Sequence, residues 1–390
     1  MVAFFSLARK ALACLAFLTL AGCDPAALGG LTGGGSQRVN TNAPIPVALL
    51  VPRGGTASDN LLAQNLENAA RLAIRDADGV EIDLRVYGTA GSPATAASQA
   101  SQAINDGAKI ILGPLYAEAA NAAGVAAAQA GVNVLAFSNN PTIAGGNVFV
   151  LGATFQNTAD RLVRFAVRQG KNRIVVVHGS DVAGQIGRNA IQNAIGRTGG
   201  ELVGSVDYPL SQQGVVSAVP QIKSAVENGA ASAVFMTAPS AGALPLLTQL
   251  MPEQGISPAT TQFIGLTRWD IPPQTLALPG VQGGWFALPD PARTSAFRAR
   301  YEATYGSAPH PLAGVAFDGI AAVTALARQG RSDALTAGAL TQGAGFQGAT
   351  GVFRLRPDGT NERGLAVATV RNNQVTVIDA APQGFGGFGS

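Results

Sequence analysis

PVALLV (46–51), PRGGTASD (52–59) and NLLAQNLENAARLAIRDADG (60–79) follow one another without interruption, and their reading decides the fold. The first is a short apolar run, the mark of a strand buried on both faces. The second is a polar, glycine-containing loop. The third places Leu62, Leu66, Ala69, Ala70 and Ala73 at helical spacing, which predicts an amphipathic helix. A buried strand, a loop and a helix in that order are the first half of a parallel βαβ unit.

The same unit recurs downstream. IDLRVYG (82–88) reads as a strand, and Ser92-Pro93 supplies an N-cap with proline at the first helical position, opening a helix to about Gly107. KIILG (109–113) is a strand, AEAANAAGVAAAQAG (117–131) a helix closed by glycine, and VNVLAF (132–137) a strand. A second series then pairs RIVVVHG (173–179) with GQIGRNAIQNAIGRTGG (184–200), ELVGSVDY (201–208) with VVSAVPQIKSAVENG (215–229), and SAVFMTA (232–238) with ALPLLTQLMPEQG (243–255), before TQFIGL (261–266). Two such series exceed one comfortable sheet, so the pattern predicts two doubly wound α/β lobes. The last segment, 349–379, alternates and carries turn signals at Asp358-Gly359 and Asn372-Asn373, which predicts an antiparallel hairpin or meander. Ligands of open α/β sheets bind outside the carboxyl ends of the strands, and two such lobes would enclose a cleft.

Working outward to the amino terminus, Arg9 and Lys10 precede an apolar run, 11–20, that is too short to span a bilayer but has the length of a signal-peptide core. It ends in Leu20-Ala21-Gly22-Cys23, which resembles a bacterial lipobox. Residues 1–22 are therefore expected to be a lipoprotein signal peptide, with Cys23 lipidated and anchoring the chain to a membrane. The other cysteine, Cys14, lies in the removed segment, so no disulfide is expected, and a chain of this length buries a core without one. Residues 23–44 read as a flexible tether and 380–390 as a disordered, glycine-rich tail. Asp24 directly after the lipidated cysteine is a signal for inner-membrane retention in enteric bacteria.

Charged residues make up only 13% of the chain and apolar residues 47%, which indicates a well-buried globular body. The formal charge of +3 falls when Arg9 and Lys10 are removed, and no basic stripe with interleaved aromatics is present, so nucleic acid is not an expected partner. The chain has two histidines, His178 and His310, and no HExxH, Walker or GxSxG motif. RDADGVEID (75–83) lacks the ligand alternation of a calcium loop. No catalytic residue, metal or cofactor is expected.

The segments VALLVP, ILGPLYAEAANAAG (111–124), GVNVLAFSNNPTIAGGNVFVLG (131–152), HGSDVAGQIGRNAI (178–191) and FQGATGVFRLRPDGT (346–360) together resemble the leucine-binding branch of the type I periplasmic-binding-protein family over roughly 45–379. The resemblance implies two lobes joined by three crossings, with 45–155 plus 287–332 in one and 156–286 plus 333–379 in the other. It also implies that the loops Gly113-Pro114-Leu115-Tyr116 and Ser138-Asn139-Asn140-Pro141-Thr142 hold a ligand carboxylate through hydroxyls and backbone N–H groups. Ser138 and Thr142 match the hydroxyl positions of the second loop; they are also the residues a turn around Pro141 would use. Arg53 is placed either to hold an anion or to be solvated. Where amino-acid binders of the family offer a serine and an aromatic cage, this chain has Ala117, Ala183 and Thr237 to Ser240. The acid for a ligand ammonium would be Asp270, with Arg268 and Trp269 in the same stretch. Two functions follow: a regulator similar to penicillin-binding protein activators, whose partner is a peptidoglycan synthase, or the substrate-binding component of an ABC transporter, whose partners are a permease and a small polar solute. The segments ILGPLYAEA and VLAFSNNPTIAGGNVFVLG favour the first.

Overall fold

The computed structural model of the chain describes residues 38–385, so the expected signal segment, Cys23 and Asp24 lie outside the described residues. The fold begins with β1 (Ile45–Val51) and α1 (Ala57–Arg75). The helix starts ahead of its apolar periodicity because Thr56 and Asp59 form a capping box. The Thr56 hydroxyl accepts from the Asp59 N–H, and the Asp59 carboxylate accepts from the Thr56 N–H. β2 (Ile82–Gly88), α2 (Pro93–Asn105), β3 (Ile110–Leu112), α3 (Ala117–Ala128), β4 (Asn133–Ala136) and β5 (Val148–Val150) complete the first series. All pair in parallel, in the order β2-β1-β3-β4-β5.

The second series runs α4 (Phe155–Arg168), β6 (Arg173–Gly179), α5 (Val182–Thr198), β7 (Glu201–Tyr208), α6 (Gln212–Asn228), β8 (Ala233–Met236), α7 (Leu244–Glu253), β9 (Gln262–Gly265) and β10 (Trp285–Pro289). Then come α8 (Pro291–Tyr305), α9 (Gly314–Ala327), the short α10 (Ala337–Leu340), β11 (Phe346–Gly348), β12 (Gly351–Leu355) and β13 (Asn361–Arg363). β14 (Leu365–Arg371) and β15 (Gln374–Asp379) close the chain as the expected hairpin. Asn372 and Asn373 both take positive φ, 51° and 62°, as a two-residue hairpin turn requires. The second sheet has the order β15-β14-β10-β9-β8-β6-β7, and its parallel part repeats the winding of the first. β11, β12 and β13 form a separate antiparallel sheet.

Strand periodicity explains the packing. In β1, Val47, Leu49 and Val51 point into a core shared with α1, α8 and α9, while Ala48 and Leu50 point to the opposite face beneath the alanines of α2 and α3. In β6, Val175 and Val177 face α6 and α7, whereas Ile174 and Val176 face α4 and α5. Each large sheet is thus covered on both sides, as uninterrupted apolar strands demand.

The structure differs from the expected segmentation in four places. The expected boundary at 287 cuts β10, which pairs along its whole length with β14 and through Trp285 and Phe286 with β9, so the chain leaves the second sheet only after Pro289. Residues expected in the second lobe between 333 and 355 bury Leu335, Leu340, Phe346, Phe353 and Leu355 in the core of the first. Polar spacing hides this, because each short segment contributes only one or two apolar anchors. The tether ends earlier than 44: Val39 is buried in the first core and its N–H donates to the Ser332 carbonyl at 2.8 Å. The expected disordered tail is packed as far as 385, with Ala381 buried, Gln383 donating to Asp290 at 2.9 Å and Phe385 lying under Arg354.

Candidate ligand-binding site

Strand order locates the candidate loops. In the first sheet the direction of winding reverses between β1 and β3, so the crevice lies outside their carboxyl ends, between the loop of Arg53 and the loop of Leu115 and Tyr116. In the second sheet the reversal lies between β6 and β8, next to Ser180-Asp181 and Thr237 to Ser240. The loop after β3 depends on Gly113, whose φ is +84° and whose added Cβ would stand 2.2 Å from the Leu50 carbonyl oxygen. Only glycine brings the chain that close to β1.

Most of the polar side chains at these loops are already engaged. The Arg53 guanidinium pairs with Glu67 on α1, and Arg71 pairs with the same carboxylate at 2.7 Å. Burial opposes ionisation of Glu67, but the two guanidiniums outweigh it and hold the carboxyl below its ordinary range. Tyr116 is exposed, and its hydroxyl donates to Asp59. This bond raises the phenol and lowers the carboxyl. Leu115 is half-buried against the first core. Ser138 is buried and its hydroxyl accepts from the Asn140 N–H at 3.1 Å. Asn139 and Thr142 are exposed. Thr142 donates through both its N–H and its hydroxyl to Asn140 Oδ1, at 3.0 and 2.9 Å. Ser138 and Thr142 thus serve the turn around Pro141.

In the second sheet, Asp270 is held by Arg268 through paired hydrogen bonds, one of them 2.9 Å. Its charge is neutralised before any ligand ammonium arrives. Trp269 is fully buried, stacked on Phe286 at 6.1 Å, and faces the core. A Cβ on Gly265 would stand 2.1 Å from its indole nitrogen. Ser240 donates to the Ile271 carbonyl and Thr267 to the Ala238 carbonyl, tying neighbouring loops together. His178 is buried, with Nδ1 2.9 Å from the Gly179 carbonyl. Burial pushes Tyr208 up to about 12, so it stays a neutral phenol.

What remains open is backbone. α1, α5 and α6 are capped by Thr56, Asp181 and Ser211, whereas α3 has no side-chain cap. The first-turn N–H groups of α3, at Ala117 to Ala119, lie directly after Tyr116 and carry the positive end of the helix dipole. Glu118, exposed in the same turn, offsets part of that field. Around the loops stand exposed apolar side chains: Leu61 and Tyr116 in the first lobe, Val182, Leu210 and Ile271 in the second. Among the described residues no hydrogen bond or ion pair joins the loops of one sheet to those of the other. Asp59 and Asp181 were not singled out from sequence, although both sit at legible helix-start signals.

Among the described residues no helix is long and apolar enough to cross a membrane, and no cluster of histidine, cysteine and acidic residues could hold a metal ion. In RDADGVEID, Asp76 pairs with Arg300 and Asp83 with Arg85.

The family described as periplasmic binding protein matches residues 44–374. No curated protein matches the sequence. Solved structures with this fold include a protein from Rhodospirillum rubrum, provisionally described as a branched-chain amino acid ABC transporter. It is 19% identical with a TM-score of 0.72, over 86% of this chain and 100% of that one. A branched-chain amino acid ABC transporter periplasmic ligand-binding protein from Burkholderia xenovorans LB400 is 19% identical, with a TM-score of 0.68 over 88% and 97% of the two chains. An ABC transporter solute-binding protein from Rhodopseudomonas palustris BisB5, in complex with 3,4-dihydroxybenzoic acid, is 20% identical, with a TM-score of 0.56 over 87% and 98%. At these identities the likeness establishes the architecture.

Proposed function

The chain belongs to the periplasmic binding protein family, and from that premise we propose that it is the solute-binding component of an ABC transporter for a small carboxylate with an apolar body. The observation that carries this reading is the uncapped amino end of α3 at the winding reversal of the first sheet. It offers N–H donors to an anion while Arg53 and Asp270 are committed elsewhere. A plain amino acid would need a free carboxylate for its ammonium, and Asp270 is paired. The exposed Leu61, Tyr116, Val182, Leu210 and Ile271 suit an apolar remainder. One fold neighbour, an ABC transporter solute-binding protein, is in complex with 3,4-dihydroxybenzoic acid, a carboxylate on an aromatic ring. The transport receptors among the fold neighbours support this reading over a regulator of a peptidoglycan synthase. With it goes a periplasm-facing protein anchored through lipid on Cys23, with an ABC permease as partner.

The test is ligand-dependent thermal unfolding against aromatic and aliphatic carboxylates, amino acids, peptides and cell-wall fragments. A ligand at 100 times its Kd adds about 2.7 kcal/mol of stability. A carboxylate without an ammonium should give the largest shift. A shift with amino acids alone would overturn the ligand class. No shift with any solute, together with binding to a purified peptidoglycan synthase, would restore the regulator.

A further inference from the structure

A cavity of about 810 Å³ lies away from the strand-end loops, between α4, β13 and the packed residues 379–385. That volume lies within the range of small-molecule sites. Five of its lining side chains are arginine and three are acidic. Adding the outer partners Arg197, Arg356 and Asp318 gives seven guanidiniums against four carboxylates, so the cluster carries an excess of three positive charges.

The carboxylates are used up inside the cluster. Asp379 is shared by Arg161, at 2.8 Å, and Arg168, and Glu362 by Arg354 and Arg356, at 2.6 and 3.0 Å. Arg161 is fixed in place, donating to the carbonyls of Leu365, Asp379 and Ala380. Arg164, one helical turn along the same face of α4, lines the cavity, is exposed, and has no hydrogen-bond or ion-pair partner among the described residues. On the opposite wall Arg354 lies 4.7 Å from the centre of the Phe385 ring. Burial lowers Arg161 from its ordinary value, and the neighbouring Arg168 and Arg164 add to that direction although Asp379 opposes it.

We propose that this cavity is a binding site for a small, at least divalent phosphate-class oxyanion, held by Arg164 and Arg168 with Arg354 across the cavity. Guanidinium forks match phosphate oxygens bidentately, and the fixed Arg161 keeps the site positive without needing to move. Such a ligand would relieve the charge excess that the internal carboxylates leave. The site shares no lining residue with the strand-end loops, so it stands or falls separately from the transport reading.

The experiment is calorimetric titration of the full chain with inorganic pyrophosphate, with citrate and phosphatidylglycerol vesicles as parallel arms. Pyrophosphate should bind at one site, and affinity should fall at least tenfold in Arg164→Gln/Arg168→Gln and fall further with added salt. Arg164→Glu, a single exposed change, should give the same loss if the double variant fails to fold. Conversely, absence of pyrophosphate binding, equal affinity in folded Arg164→Glu, tighter binding of citrate, or binding to vesicles alone would overturn the proposal. Carboxylate-dependent thermal shifts measured on the same variants should be unchanged, which separates this site from the strand-end loops.

Discussion

Replacing Arg363 by methionine probes the deepest ion pair among the described residues. Asp318 on α9 is fully buried, and Arg363 on β13 stands 2.8 Å from its Oδ2. Asp318 Oδ1 accepts from the Ala349 N–H at 2.8 Å, and Arg363 also donates to the Leu151 carbonyl and the Thr350 hydroxyl. The pair therefore joins α9, β13 and the segment leaving β5, where the chain crosses towards the second sheet. Burial pushes the Asp318 carboxyl up, and Arg363 opposes that. Removing the guanidinium leaves a buried carboxylate with one N–H donor, at a cost of about 3–5 kcal/mol. With an unfolding entropy of about 2.1 cal/mol/K per residue over a body of about 350 residues, this lowers Tm by about 4–7 °C. In Arg363→Met the folded-state pKa of Asp318, already raised by burial, rises further because the opposing guanidinium is gone. The folded state then binds the extra proton, and the deficit relative to wild type shrinks as pH falls through that raised pKa. Asp318→Asn/Arg363→Met, which removes both charges, should lose less than Arg363→Met alone. The assay is thermal and urea unfolding between pH 5 and 8. A Tm loss under 1 °C, or a deficit independent of pH, would show that the pair is not the charged buried contact described.

Burial holds His310 below its ordinary 6.5, and its Nδ1 accepts from the Leu312 N–H at 3.1 Å. Between the folded and unfolded pKa the unfolded chain binds more protons, so stability rises with pH up to about 6.5 and is lost as pH falls. His310→Gln should flatten that slope in pH-dependent melts. Gly113→Ala, which combines positive φ with a contact to the Leu50 carbonyl, should cost about 1–3 kcal/mol and weaken carboxylate binding by displacing the loop before α3. Wild-type affinity and stability in that variant would contradict the placement of the loop.

The two wound sheets were legible because a strand buried on both faces writes an unbroken apolar run, as β1 and β6 do. The hairpin was legible because Asn372-Asn373 suits positive φ. β5, at three residues, is too short to show a period, and β10 ends in proline. The segment 333–355 contributes isolated anchors such as Leu340 and Phe346 to a core built mainly from residues far away in the chain. The positions of the candidate loops were readable as strand ends. Their chemistry was not, since Arg53 meets Glu67 only once α1 folds back along β1, and Tyr116, just before α3, meets Asp59 in the first turn of α1.

The sequence by itself determined the alternation of strand and helix, the burial of both sheet faces and the family, because these rest on local periodicity and ordered motifs. Which charges are free was decided only in three dimensions, because electrostatic partners are set by distance in space. Arg161 and Arg164 are the same residue type one helical turn apart. The first is locked by Asp379 and three carbonyl oxygens, and the second is left open at the edge of a positive cavity.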